Sequence, residues 1–154
     1  MKTIKLRHIG IVVKDIKKNI KIFKSLFGIK LKSKISLQSG NYISNLVGFK
    51  KTIMKTCILK ISDNNRIELI EYVNPKSYKK KISPNNIGVS HFAITIKSMK
   101  TFLKKYKKFK IKLLHKPILN EDKSAVVVYA IINKEIICEV VQVIKKKATF
   151  SGGK

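Results

Sequence analysis

The chain has 154 residues, 44% of them apolar, which is enough for one globular domain or for two small units that share a core. Its formal net charge is +27, yet only Arg7 and Arg66 are arginine, and the lysines run along the whole sequence. Because arginine is preferred for bidentate contacts with bases and phosphates, this pattern indicates a compositional bias, and we expect no specific nucleic-acid partner. The same charge would attract small anionic molecules.

The apolar segments are too short to cross a membrane, so we expect no membrane partner. No apolar run reaches the length of a membrane span, and no signal-peptide segment precedes the first predicted strand. We therefore expect a soluble, cytoplasmic protein. Cys57 and Cys138 both lie inside apolar, strand-like runs, which predicts buried free thiols.

The first half of the chain predicts the order strand, helix, strand, strand, strand. Alternating residues over 8–13 indicate the first strand. Asp15 is placed to cap a helix that ends at Phe27, because Gly28 follows it. The apolar stripe of this helix is predicted to be Ile16, Ile20, Phe23 and Phe27. The next elements are predicted to be a strand over 29–37, a short helix over 39–47, a strand over 52–61, a turn over 62–65 and a strand over 66–73.

The second half repeats this order. His91 stands before an alternating apolar run as His8 does, and Ser98 follows that run at the position that Asp15 occupies in the first copy. The repeat predicts strands over 88–96, 109–114, 125–132 and 135–143, a helix over 98–106 and a loop over 117–122. The predicted organisation is a first module at 1–75, a linker at 76–87, a second module at 88–144 and a frayed tail at 145–154.

The acidic residues Glu68 and Glu139 lie at corresponding places in the two halves, each inside an apolar run. Glu68 and Glu139 each occur on the last strand of a module, whereas His8 and His91 occur on the first. A carboxylate with apolar neighbours is costly to bury unless it is paired, hydrogen-bonded or bound to a metal. We therefore predict one metal site of His8, Glu68, His91 and Glu139, with Zn, Ni, Co, Mn or Fe(II) preferred over Mg or Ca. The alternative is two ordinary strand histidines and two solvent-facing glutamates.

Several stretches carry a family resemblance over about residues 5–142. They are His8–Val13 with Asp15, Phe23–Gly28, Arg66–Tyr72, His91–Ile94 and Cys138–Val141. Together they resemble the vicinal oxygen chelate superfamily, which contains glyoxalase I, methylmalonyl-CoA epimerase, extradiol dioxygenases and fosfomycin and bleomycin resistance proteins. The resemblance implies an α+β fold, in which two βαβββ modules form a half-open mixed β-barrel around a metal, with helices outside. The metal ligands of the family fall on the four residues predicted above. Glu71 is the alternative to Glu68 as a metal ligand. Alternation places Glu71 on the other face of the strand, however, where we expect it at the surface.

The resemblance also implies an activity. It implies a metal-dependent lyase or isomerase/epimerase, in which Glu139 and possibly also Glu68 move a proton next to a metal-bound carbonyl of a small anionic or thioester substrate. Three departures are visible: residues 132–136 replace the Asp-Pro-Asp-Gly-Asn of many members, Ile22-Phe23 replaces the Phe-Tyr of the first helix, and no arginine follows His8 on the first strand. The missing arginine argues against a strict lactoylglutathione lyase.

The alternatives are an Fe(II) ring-cleaving dioxygenase and a non-catalytic drug-binding protein of the same fold. The only spare histidine, His115, is expected to be exposed, whereas ring-cleaving members use extra histidine and tyrosine. Candidate pocket aromatics are Tyr42, Tyr72 and Tyr129. We expect a homodimer. The predicted barrel would form either within a single chain or by module exchange between two chains.

Overall fold

The computed structural model describes residues 6–78 and 81–145, and the chain divides into two compact units, residues 1–80 and 81–154. Apart from Lys145, the predicted tail lies outside the described residues. The first unit contains β1 (Ile9–Val12), α1 (Ile16–Phe27), β2 (Lys30–Leu31), β3 (Ser36–Ser39), α2 (Asn41–Val47), β4 (Ile53–Lys60) and β5 (Arg66–Asn74). The second contains β6 (His91–Thr95), α3 (Met99–Lys105), a 3-10 turn (Tyr106–Lys108), β7 (Ile111–Leu113), β8 (Ile118–Leu119), β9 (Ala125–Ile132) and β10 (Ile136–Val143). Among the described helices, none is both long and apolar enough to cross a membrane.

The two units have the same sheet topology. The strand order is β1-β5-β4-β2 in the first unit, with β3 also on β4, and β6-β10-β9-β7 in the second, with β8 also on β9. The pairs β1–β5 and β6–β10 are parallel, and the other pairs are antiparallel. Neither sheet closes on itself. The predicted α+β fold of two βαβββ modules is therefore confirmed.

Two predicted segments differ from the structure. The strand predicted over 29–37 is split into β2 and β3, because the chain leaves the ladder between them, where the N–H of Lys32 and the hydroxyl of Ser33 bond to the backbone of Ile58. The loop predicted over 117–122 contains the short strand β8, which pairs with β9. The first difference arises from pairing with β4, which is distant in sequence, whereas β8 and β9 form a short hairpin around residues 120–124.

Helix α1 begins and ends where the sequence predicts. The carboxylate of Asp15 accepts a hydrogen bond from the N–H of Lys18 at 2.9 Å, and Gly28 adopts the left-handed conformation with φ 67°. The inward stripe is shifted from its predicted position. Ile16 and Phe23 are buried as predicted, whereas Ile20 and Phe27 are half-buried and Asn19 and Ile22 are buried instead. Asn19 tolerates burial because its amide donates to the backbone oxygen of Asp15.

Each sheet has one face on the side of its helix. In the first unit this face includes Leu69 and Cys57, which pair across β5 and β4, and in the second it includes Cys138 and Val140. These side chains are almost fully buried, and both cysteines are free, which confirms the prediction for the thiols. Burial raises the pKa of the Cys57 thiol to about 11 and also raises the pKa of the Cys138 thiol. The opposite faces are therefore the ones available to a ligand.

Glu71 lies on the helix side of the first sheet, as alternation predicts, but its expected position at the surface is wrong. Its side chain is only 17% exposed. One carboxylate oxygen accepts from the N–H of Ile16 at 2.8 Å and the other pairs with Lys55 Nζ at 2.7 Å. In the second unit Gln142 accepts from the N–H of Met99 in the same way. The first N–H groups of a helix lack partners inside the helix, so the last strand supplies one in both units.

Replacing Glu71 by Ala is expected to lower the free energy of unfolding by about 1–3 kcal/mol, because it leaves a part-buried N–H of Ile16 without its acceptor. Glu71→Gln keeps an oxygen for that N–H, as Gln142 does, and should cost clearly less. Urea unfolding of both variants tests this, with the exposed Glu121→Ala as the control. Equal losses for Glu71→Ala and Glu121→Ala would contradict the capping role.

Candidate metal centre

The first histidine and glutamate meet because β1 and β5 are parallel neighbours. Gly10 lies directly opposite Glu68 in the register, so His8, two residues before Gly10, extends from the same face of the sheet. His8 Nε2 is 3.1 Å from Glu68 Oε2. Gly10 has no side chain to obstruct this approach. The first unit thus brings together two of the four predicted site residues.

The second unit repeats this arrangement on β6 and β10. Ala93 lies opposite Glu139, and His91, two residues earlier, projects from the same face. His91 Nε2 is 3.4 Å from Glu139 Oε2. The exposed fractions match those of the first pair: 44% for His91 and 23% for Glu139, against 40% for His8 and 23% for Glu68. Both pairs are therefore accessible from the open face of their own sheet.

The donor atoms of both pairs fit a divalent cation of the transition series. Bonds of about 2.0–2.2 Å to imidazole nitrogen and carboxylate oxygen place neighbouring donors about 3.0–3.4 Å apart around one cation. The observed separations, 3.1 and 3.4 Å, lie in this range, although a hydrogen bond between imidazole and carboxylate gives similar distances. In the part of the chain that the structure describes, no third His, Cys, Asp or Glu side chain joins either pair. A four-ligand centre therefore needs both pairs.

The second pair has a neighbour that the first lacks. Tyr129 on β9 lies opposite Glu139, and its hydroxyl is 3.0 Å from His91 Nε2. Partial burial, together with the charge of Glu139 and a hydrogen bond to it, raises the pKa of the Tyr129 hydroxyl. The corresponding residue of the first unit is Ile58, opposite Glu68. Sequence reasoning named Tyr129 only as a pocket aromatic, and the two-residue turn predicted at Asn133–Lys134 would have placed Cys138 opposite it. The observed turn has three residues, 133–135, and this places Glu139 there instead.

The open face of the first sheet carries a polar group that was not predicted from the sequence. The Thr56 and Ser36 hydroxyl oxygens are 3.3 Å apart, and the Gln38 amide donates to Ser36 Oγ at 2.9 Å. Thr56 pairs with Ile70, two residues beyond Glu68, so the group shares a face with Glu68. In the second unit the matching pair on β8 and β9, Ile118 and Val127, is apolar. The two open faces therefore differ in polarity.

The remaining named residues have different surroundings. Tyr72 lies on the same face as Glu68, and its ring meets that of Phe49 edge to face, with the centroids 6.2 Å apart. Tyr42 is 74% exposed on α2. His115 is exposed, as predicted, and its Nδ1 is 2.6 Å from the backbone oxygen of Lys116. His115 therefore serves as a control position for the site histidines.

The chain is similar to known proteins in sequence profile and in fold. The sequence profile of the Glyoxalase/Bleomycin resistance protein/Dioxygenase superfamily matches residues 7–129. No curated protein matches the chain by sequence. Among solved structures, a glyoxalase family protein from Bacillus cereus is 17% identical, covers 94% of this chain and 97% of its own, and has a TM-score of 0.84.

Two further structures share the fold. Glyoxalase I from Zea mays is 18% identical over 92% of this chain and 45% of its own, with a TM-score of 0.63. A genomically encoded fosfomycin resistance protein from Listeria monocytogenes is 15% identical over 90% of this chain and 93% of its own, with a TM-score of 0.58. With the profile matching most of its length, the chain belongs to the Glyoxalase/Bleomycin resistance protein/Dioxygenase superfamily, the vicinal oxygen chelate fold.

Proposed function

We propose that the protein is a metal-dependent lyase or isomerase/epimerase of the glyoxalase type, in which His8, Glu68, His91 and Glu139 hold one divalent cation. The observation that supports this most directly is that each unit directs an imidazole nitrogen and a carboxylate oxygen at one another on an open sheet face. The Listeria fosfomycin resistance protein, which shares the fold, has been solved in complex with Mn(II) and sulfate. The donor set suits Zn, Ni, Co, Mn or Fe(II).

The proposal requires the two pairs to converge on the cation. They would do so either within one chain or between units of two chains, and the second arrangement would make the enzyme an obligate homodimer. Because the duplicated units contribute equivalent ligands, the centre would have two imidazoles and two carboxylates. When bound, the cation supplies a Lewis acid for a carbonyl oxygen of the substrate.

Glu139 is the proposed general base. A carboxylate near such a carbonyl can remove the proton from the neighbouring carbon and return it to the product. The hydrogen bond between Glu139 and Tyr129 orients this carboxylate, whereas Glu68 has the apolar Ile58 opposite. Glu68 is therefore the second candidate for the base. The excess of lysine favours small anionic or thioester substrates.

The second candidate function is an Fe(II) ring-cleaving dioxygenase. Two histidines and one carboxylate are the ligands used by non-haem Fe(II) oxygenases. The hydroxyl of Tyr129, 3.0 Å from His91 Nε2, favours this function because it provides a hydrogen-bonding group beside the ligands. Oxygen uptake with catechols by the Fe(II)-loaded protein distinguishes it from the lyase or isomerase.

Metal binding is the test of the proposal. The purified chain should retain a divalent metal through desalting, and its removal with EDTA should lower the Tm by roughly 5–10 °C if the metal is present at about 100 times its Kd. His8→Ala and His91→Ala should each weaken metal binding by more than about tenfold. His115→Ala and Glu121→Gln are the matched controls.

Each result separates the alternatives. Metal loss in both His8→Ala and His91→Ala supports one shared centre. Loss in only one of them indicates that a single pair binds the metal. A chain that binds no metal and has the same Tm with and without EDTA contradicts the enzyme, and it favours the non-catalytic small-molecule binding protein.

A further inference from the structure

The first unit has a surface pocket outside the His–Glu pair. It is lined by residues between 39 and 53, and its volume is about 760 Å³. Pockets that bind small molecules have volumes of about 300–1,000 Å³, so this pocket is large enough for a ligand with one ring. Tyr72, which contacts the lining residue Phe49, is four residues beyond Glu68 on β5, about 13 Å along the strand. The pocket is therefore distinct from the candidate metal centre.

The pocket is built by an insertion. In the first unit residues 40–52, including α2, connect β3 to β4, whereas residues 120–124 alone connect β8 to β9 in the second. The second unit forms its sheet and its His–Glu pair without this insertion. The inserted residues are thus not needed for the fold or for the pair, which points to a separate role.

The wall formed by residues 48–52 is held in a defined conformation. Lys51 adopts the left-handed conformation with φ 55°, which is unfavourable for a residue with a side chain. Asn74 donates to the backbone oxygen of Lys51 at 2.6 Å, and the buried hydroxyl of Thr52 donates to that of Phe49 at 2.8 Å. Ser44 Oγ accepts from the N–H of Thr52. These bonds orient the wall before any ligand binds.

The chemistry of the wall suits an anion that carries a ring. Lys50 and Lys51 both line the pocket, and none of the lining residues that the structure describes is acidic. The lysines in described ion pairs are Lys55 and Lys60, so Lys50 and Lys51 are not neutralised by a described carboxylate. The ring of Phe49 is 51% exposed but is held edge to face by Tyr72. It therefore offers an apolar surface next to two cations.

We infer that this pocket binds a small organic anion, in which a phosphate or carboxylate group contacts the two lysines and an aromatic or apolar ring packs on Phe49. The binding site is independent of the metal centre and does not depend on the proposed activity.

The probe is phenyl phosphate, titrated into the ¹⁵N-labelled full chain at about 0.15 M salt to screen weak surface charges. The expected result is a saturable shift of amide signals within residues 39–53. Lys51→Gly removes one cation without backbone strain, and it should raise the Kd by about fivefold. Phe49→Ala should raise the Kd for phenyl phosphate to a similar extent but leave that for inorganic phosphate unchanged.

Lys134→Gly is the matched control, because Lys134 is also an exposed lysine with positive φ, 63°, but lies in the second unit. This variant should change the Kd by no more than about twofold. Shifts that do not saturate, that spread over lysine-rich surfaces elsewhere, or that respond equally to Lys51→Gly and Lys134→Gly would overturn the inference. Equal binding of phenyl phosphate and inorganic phosphate would overturn the role of the ring.

Discussion

Glu139→Gln is expected to lower turnover by a factor of about 10²–10⁴ while leaving the fold intact. The amide keeps the size of the side chain and one oxygen, so the contacts of β10 with β6 and β9 are preserved. It cannot accept a proton at neutral pH, however, so proton removal next to the carbonyl would slow by that factor. The measurement is incorporation of deuterium from solvent into the carbon next to the carbonyl, with methylmalonyl-CoA and thiol adducts of methylglyoxal as trial substrates.

Three comparisons make this result specific to the base. Glu121→Gln, an exposed carboxylate outside both pairs, should retain full turnover. Glu68→Gln tests the alternative base on the first unit. Metal content is measured in parallel, because a variant that has lost its metal would lose turnover for another reason. Unchanged exchange in a folded, metal-containing Glu139→Gln protein would rule out Glu139 as the base.

Phe23→Ala should lower the free energy of unfolding by about 3–5 kcal/mol, the largest stability change we expect from one substitution. Phe23 is fully buried on α1, and its ring lies 5.9 Å from that of Phe27. Truncation removes most of its apolar contact and leaves a cavity beneath the helix that neighbouring side chains fill only in part.

Urea unfolding followed by circular dichroism measures this loss. Phe49→Ala is the control, because the same truncation at a ring that is 51% exposed should cost about 1 kcal/mol or less. A loss below about 1 kcal/mol for Phe23→Ala would mean that α1 contributes little to the core of the first unit.

Local signals accounted for much of the fold. Asp15 and Ser98 cap the helices as their sequence positions predict, and Gly28 ends α1. The strand over 125–132 has the bounds predicted from alternation. These features depend on neighbouring residues, whose hydrogen bonds and alternating side chains act over a few positions.

Other features depended on register between strands that are distant in sequence. The break between β2 and β3 and the position of Glu71 at the start of α1 both follow from partners elsewhere in the chain. The contact of Tyr129 with His91 is of the same kind. Local patterns do not specify which residue lies opposite which, so these features were not predicted.

By itself the sequence determined the duplicated strand–helix–strand order and the caps of α1 and α3, because periodicity and capping are local properties. Its repeat also singled out the four side chains that we propose as metal ligands. Only the tertiary structure decided that His8 faces Glu68, that His91 faces Glu139 beside Tyr129, and that Glu71 binds the helix instead of solvent. Parallel pairing of the first and last strands of each unit sets these contacts, and hydrogen bonds between distant backbone segments set that pairing.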